Sequence, residues 1–198
     1  NEALQPEVAR RVAHHYLPLD LYTGRVDKMH PLWAYLRRNG AAEADLLALQ
    51  QQAGQVDMLG VNLYPWSGGE VVDARRRAKG ELSGHHLGLV LRDAWRRYQL
   101  PMMITETSAL RDVDGRAQWM DETIATVAEV CDEGVPVQGY TWIPALTMID
   151  WKYRLGKAAL AKYLLHLGLW DSAFDAERTL RRHPTSSVAR YRDYVAQG

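Results

Sequence analysis

Two short runs of apolar and β-branched residues, 56–64 (VDMLGVNLY) and 102–107 (MMITET), constrain this chain more than any other feature. Neither alternates apolar with polar as a strand with one wet face does, so both are expected to be buried strands of a parallel sheet. A third candidate is 137–143 (VQGYTWI). Between the first two, Leu87, Val90, Leu91, Ala94, Trp95 and Tyr98 recur at helical spacing. Between the second and third, Met120, Ile124, Val127 and Cys131 do the same, and Gly134 closes the pattern. The order strand, helix, strand, helix, strand predicts right-handed β-α-β units and an α/β fold. An aromatic-rich loop then leads to a last amphipathic stretch around 187–195. Upstream, residues 7–16 read as helix and 31–52 as helical with a break at Asn39-Gly40. Residues 16–23 (YLPLDLYT) alternate like a strand yet equally suit a helix continuing past Pro18, and periodicity leaves both open.

Composition excludes several classes of function. At 198 residues and 47% hydrophobic, the chain is expected to be one globular domain. Lys+Arg and Asp+Glu balance at 24 each, so no net field draws a nucleic acid or an anionic membrane, and neither is expected as a partner. No apolar run approaches the roughly 18 residues of a membrane span. The single Cys131 has no second thiol for a disulfide or a cysteine-rich metal site, which fits a reducing cytoplasm. The sequence opens at Asn1 without Met, as a fragment or a processed product would. Seven Trp and ten Tyr stand against one Phe, and flat rings with a polar edge suit sugars as well as cores.

In parallel β/α folds, ligands meet the C-terminal ends of the strands. Here those ends are Asn62-Leu63-Tyr64-Pro65-Trp66, Thr105-Glu106-Thr107-Ser108 and Tyr140-Thr141-Trp142. A carboxylate directly after four apolar or β-branched residues must be paired or hydrogen-bonded if it is buried. Glu106 is therefore a site residue or a salt-bridged structural one.

These segments resemble glycoside hydrolase family 1, the β-glucosidase family. PMMITETS at 101–108 resembles that family's P-hydrophobic-ITENG strand, which implies that Glu106 is the nucleophile. DMLGVNLY at 57–64 resembles DFIGINYY, which implies Asn62 in the sugar subsite and Tyr64 as a hydroxyl that hydrogen-bonds and orients the nucleophile. GVPVQGYTWIPALTMIDW at 134–151 resembles GVDVRGYFAWSLLDNFEW, which implies Trp142 as the platform under the sugar, with Asp150 and Trp151 near its hydroxyls. LDLYTG at 19–24 resembles the helix after the family's fifth strand. The resemblance spans nearly the whole chain in the right order. It implies about strands six to eight, with their helices, of a (β/α)8 barrel, as its C-terminal part. The implied activity is a retaining O-glycosyl hydrolase cleaving a β-linked carbohydrate, with no cofactor or metal. The sequence departs from the pattern at Thr107-Ser108, where the family has Asn-Gly, and at Asp150, where it has Glu.

The family's second carboxylate lies in an Asn-Glu-Pro motif at the end of the fourth strand. If residues 16–23 are the helix after the fifth strand, Glu2 lies past that strand and is not the acid/base. If they are the fifth strand itself, Glu2 is a candidate. In either case, part of a barrel leaves open sheet edges, so a homo-oligomer or the missing N-terminal half of the barrel is expected as partner. The rival reading is a catalytically inactive carbohydrate-binding or interaction protein on the same barrel. Of the remaining features, Trp66 is a candidate for lining the cleft. Trp33, Trp95 and Trp119 are expected in the core, and His85-His86 and His14-His15 in packing or solvated roles. The arginine runs at 75–77 and 96–97 read as solvated surface, and Gly68-Gly69 as a flexible loop.

Overall fold

The structure, a computed structural model, describes residues 2–72 and 77–197. It separates into two compact units, Asn1–Asp57 with Glu70–Lys79, and Met58–Gly69 with Gly80–Gly198. The arginine run at 75–77 involves residues and side chains outside the described set.

In the first unit a 3-10 turn, Glu2–Leu4, leads into helix α1, Gln5–Tyr22. The ambiguous residues 16–23 are thus helical, with Pro18 inside. Proline withholds one i to i−4 hydrogen bond. The helix nevertheless runs on, because Ala13 and Asp20, seven residues apart on one face, are both buried. Thr23 ends it by donating both its N–H and its hydroxyl to Leu19 O, each at 2.8 Å. His30 Nε2 lies 3.2 Å from Asp20 Oδ2, and its Nδ1 accepts from the Leu32 N–H, so the buried carboxylate has a partner. Helices α2, Trp33–Arg38, and α3, Glu43–Gln51, follow, separated at Asn39-Gly40 where Gly40 takes φ +96°. Trp33 is only half-buried, contrary to the core position expected of it.

The second unit holds the predicted alternation. Strand β1 is Leu59–Asn62. Strands β2, Gly69–Val72, and β3, Arg77–Gly80, which fall almost wholly in the first unit, pair with each other as a two-stranded sheet. Helix α4, His86–Tyr98, precedes β4, Met102–Thr107; helix α5, Val113–Asp132, precedes β5, Val137–Trp142. The three strands form a parallel sheet in the order β1-β4-β5. Leu59, Val61, Met102 and Ile104 alternate onto a buried face, and Leu87, Leu91, Trp119 and Met120 of the helices are buried with them. The opposite face carries Gly60, Asn62, Met103 and Thr105 and is more open. A Cβ on Gly60 would stand 3.0 Å from Thr105 Oγ1, so any larger residue there would press on the Thr105 side chain.

After β5 the chain folds back in two antiparallel pairs that sequence reading took for loop. They are β6, Met148–Ile149, with β7, Leu164–Leu165, and β8, Trp170–Phe174, with β9, Leu180–Pro184. The β8–β9 turn contains no glycine; Arg178 adopts φ +61° in its place. Helix α6, Ser186–Gln197, ends the chain as expected. Trp119 occupies the core, Trp95 is half-buried, and Cys131 is exposed rather than on a covered stripe. No helix among the described residues is long and apolar enough to cross a membrane.

Candidate functional site

Glu106 is the penultimate residue of β4 and Asn62 ends β1, and a register shift after Val61 sets these two residues opposite one another. Leu63 N–H donates to Glu106 O at 3.0 Å, so the backbone tie between the strands extends past β1. That tie carries Tyr64 to the carboxylate: Tyr64 Oη donates to Glu106 Oε2 at 2.7 Å. Both side chains are partly buried, and no Arg or Lys pairs with Glu106 among the described residues. Burial first, and then the hydrogen bond to the Glu106 carboxylate and its charge, hold the Tyr64 phenol well above the ordinary tyrosine range. The phenol is a donor across the whole neutral range.

The residues after Tyr64 are fixed from several sides. Tyr64 N–H donates to Ser67 Oγ and Ser67 N–H to Tyr64 O, each at 2.9 Å, closing the 3-10 turn Pro65–Ser67. Leu82 N–H donates to Pro65 O at 2.8 Å. The turn stacks the Trp66 indole on the Tyr64 ring, with centroids 4.7 Å apart and planes 16° apart. Thr105 Oγ1 donates to Asn62 Oδ1 at 2.7 Å. Sequence reading placed Thr105 at the strand end without assigning it this role. Thr107, buried beyond the carboxylate, donates to Leu63 O at 2.7 Å and accepts from the Trp119 indole at 2.9 Å.

Asn62, Tyr64, Trp66 and Glu106 therefore form one cluster. Trp142 lies opposite Thr107 on the neighbouring strand, but it is only 5% exposed and its Nε1 donates to Leu167 O at 3.0 Å. Asp150 and Trp151 lie in the segment after β5. The Asp150 carboxylate accepts from the Lys152 N–H at 2.9 Å and caps the 3-10 helix Trp151–Arg154. Trp151 is 67% exposed, with the Arg154 guanidinium 4.3 Å above its ring. No hydrogen bond or ring contact joins Trp142, Asp150 or Trp151 to Glu106 among the described residues. Glu2, exposed in the turn before α1, does not end a strand. His86 packs against the turn before its own helix, with Nδ1 accepting from the Ser83 N–H at 3.1 Å. Among the described residues no group of three or more His, Cys, Asp or Glu could hold a metal ion.

Parallel strands joined by helices, with polar side chains gathered at the strands' C-terminal ends, define the class: part of a (β/α)8 barrel. Solved structures with this fold include β-glucosidases from Thermotoga maritima. One, in complex with methoxycarbonyl-substituted glucoimidazole, matches with a TM-score of 0.73 and 18% identity over 95% of this chain and 46% of that one. Another, in complex with castanospermine, matches at 0.71 and 17% over 95% and 46%. A third, a family 1 β-glucosidase, matches at 0.67 and 16% over 90% and 43%. The chain spans less than half the length of the structures it matches, and at these identities the likeness is one of fold. No family model matches the sequence, and no curated protein does.

Proposed function

We propose that this chain carries the nucleophile side of a retaining O-glycosyl hydrolase site, which cleaves a β-glycosidic bond by double displacement with Glu106 as nucleophile. The observation that supports this reading is the 2.7 Å hydrogen bond from Tyr64 to Glu106, formed where two parallel strands end in a glycosidase-like fold. In such a reaction a Glu106 oxygen attacks the anomeric carbon as the bond to the leaving oxygen breaks. A second carboxyl group, about 5 to 5.5 Å from the first, protonates that oxygen. Water then displaces Glu106 and yields its proton to the second group. Tyr64 holds the attacking carboxylate in one orientation, which counts because near-attack geometry supplies much of the rate. Asn62, opposite Glu106 in the strand register, is the proposed contact to the sugar. The resemblance to family 1 implies an Asn-Glu-Pro motif for the acid/base. That tripeptide does not occur in these 198 residues, so the group would come from additional chain or from a partner.

An activated 2-deoxy-2-fluoro-β-glycoside tests the proposal, because its leaving group departs without an acid. We expect a covalent adduct that mass spectrometry maps to the peptide holding Glu106 and that Glu106→Gln abolishes. An unlabelled Glu106 overturns the reading.

One observation favours a second reading, an inactive carbohydrate-binding protein. The Trp142 indole, implied to be the sugar platform, is buried and committed to Leu167 O. Saturable sugar binding in calorimetry without any adduct is the outcome that selects it.

A further inference from the structure

We propose that Trp66 is a positioning residue: its indole, stacked flat on the Tyr64 ring, holds the Tyr64 phenol on the Glu106 carboxylate. The consequence for catalysis rests on the reading of Glu106 as nucleophile, whereas the geometric claim stands independently of it.

Tyr64 is held at two ends. Its backbone is fixed by the paired hydrogen bonds with Ser67, and its hydroxyl by the single bond to Glu106. Between those ends the ring is free to swing about two torsions, and the Glu106 side chain that receives it has three of its own. One hydrogen bond between two rotatable side chains leaves an ensemble of orientations unless something restrains the ring. The parallel indole supplies that restraint, at 4.7 Å between centroids and 16° between planes.

Trp66 is suited to this task rather than to a core. It is 50% exposed, more than a core indole would be. It is placed by backbone rather than by side-chain burial, because the Pro65–Ser67 turn is closed by Ser67 and anchored by the Leu82 N–H on Pro65 O. In an extended strand, side chains two residues apart stand about 7 Å from one another. The 3-10 turn shortens that separation to a stacking distance.

The test separates positioning from mere shielding. In a chain carrying ring-labelled tyrosine, NMR follows ionisation of the Tyr64 phenol, assigned through Tyr64→Phe, in the parent, Trp66→Ala, Glu106→Gln and the double variant. If Trp66 only keeps water off Tyr64, its removal strengthens the acid equally with Glu or Gln at 106. If Trp66 holds the hydrogen bond, the Trp66→Ala effect is about tenfold larger with Glu106 present, the size of one aromatic contact expressed as an equilibrium constant. Trp66→Phe, which keeps a flat ring, retains the parent behaviour and controls for loss of the turn.

The covalent labelling described above supplies the second readout. Trp66→Ala is expected to lower its limiting rate about tenfold with a smaller change in half-saturating concentration. Equal effects of Trp66→Ala in the two backgrounds overturn the inference, as does failure of Trp66→Phe to restore the parent titration. Absence of labelling in the parent counts against the glycosidase reading and leaves the Tyr64 titration to decide the role of Trp66.

Discussion

The parallel sheet with α4 and α5, and the segment that follows β5, are held in opposite ways. In the first, whole side chains of Leu87, Leu91, Met102, Ile104, Trp119 and Met120 leave solvent, and burial of that kind is the largest favourable contribution to folding. In the second, every residue of β9 is exposed and Leu155 is almost entirely so. Apart from the buried Leu167 and the packing of α6 on α5, its described ties to the sheet and helices are directed polar bonds. Arg116 of α5, 1% exposed, forks onto both oxygens of Asp171 at 2.7 Å and donates to Gly168 O, also at 2.7 Å. Trp142 donates to Leu167 O at 3.0 Å. One region is specified by packing, the other by a small number of directed bonds. The site residues divide accordingly: Asn62, Tyr64 and Glu106 stand on the packed region, Asp150 and Trp151 on the tethered one.

The largest expected effect is on the packed side. Trp119→Ala empties a buried indole and strips Thr107 of its donor, and it should cost about 3 to 5 kcal/mol in urea unfolding. A loss below about 1 kcal/mol would mean that this region is not packed as described. On the tethered side, Asp171→Asn leaves the Arg116 charge buried with a weakened partner. Burial pushes the Asp171 carboxyl up, but the Arg116 hydrogen bond and charge outweigh it and hold it below the usual range. We expect a loss of about 3 kcal/mol. Hydrogen exchange should rise most across residues 164–184. Uniform loosening of the sheet as well would erase the contrast between the two regions.

The smallest effect concerns Glu122 on α5, whose Oε2 accepts from the Gly84 N–H at 2.9 Å and whose carboxyl is held below the usual range chiefly by that bond. A lowered folded-state pKa means stability that is present above the unfolded value and lost as pH falls through the folded one. Glu122→Gln should therefore cost less than about 1 kcal/mol at neutral pH, and the gap should close on acidification below about pH 4. A gap that persists in acid would show that the charge plays no part.

Much of the packed region was legible before any coordinates. MMITET is strand β4 to the residue, the helical spacing of Leu87 to Tyr98 is α4, and Glu106 stood out because a carboxylate follows four residues fit only for a buried strand. The tethered region was not legible. Its strands are two to five residues long, β9 is a run of exposed Leu, Arg, His and Pro, and its turn has Arg178 where sequence reading looks for glycine. Trp33 and Trp95 follow helical spacing yet are only half-buried, because periodicity marks a face without saying how much covers it.

The sequence by itself determined the succession of strands and helices and the placing of Asn62, Tyr64 and Glu106 at strand ends, because periodicity and residue volume act over a few neighbouring positions. Only the tertiary structure decided that residues 16–23 are helix, that the Trp142 indole turns inward to Leu167, and that Tyr64 reaches Glu106 across 42 residues of chain. Each of those outcomes depends on which surfaces meet, and the register between β1 and β4 that brings the last two together is a property of paired strands rather than of either strand alone.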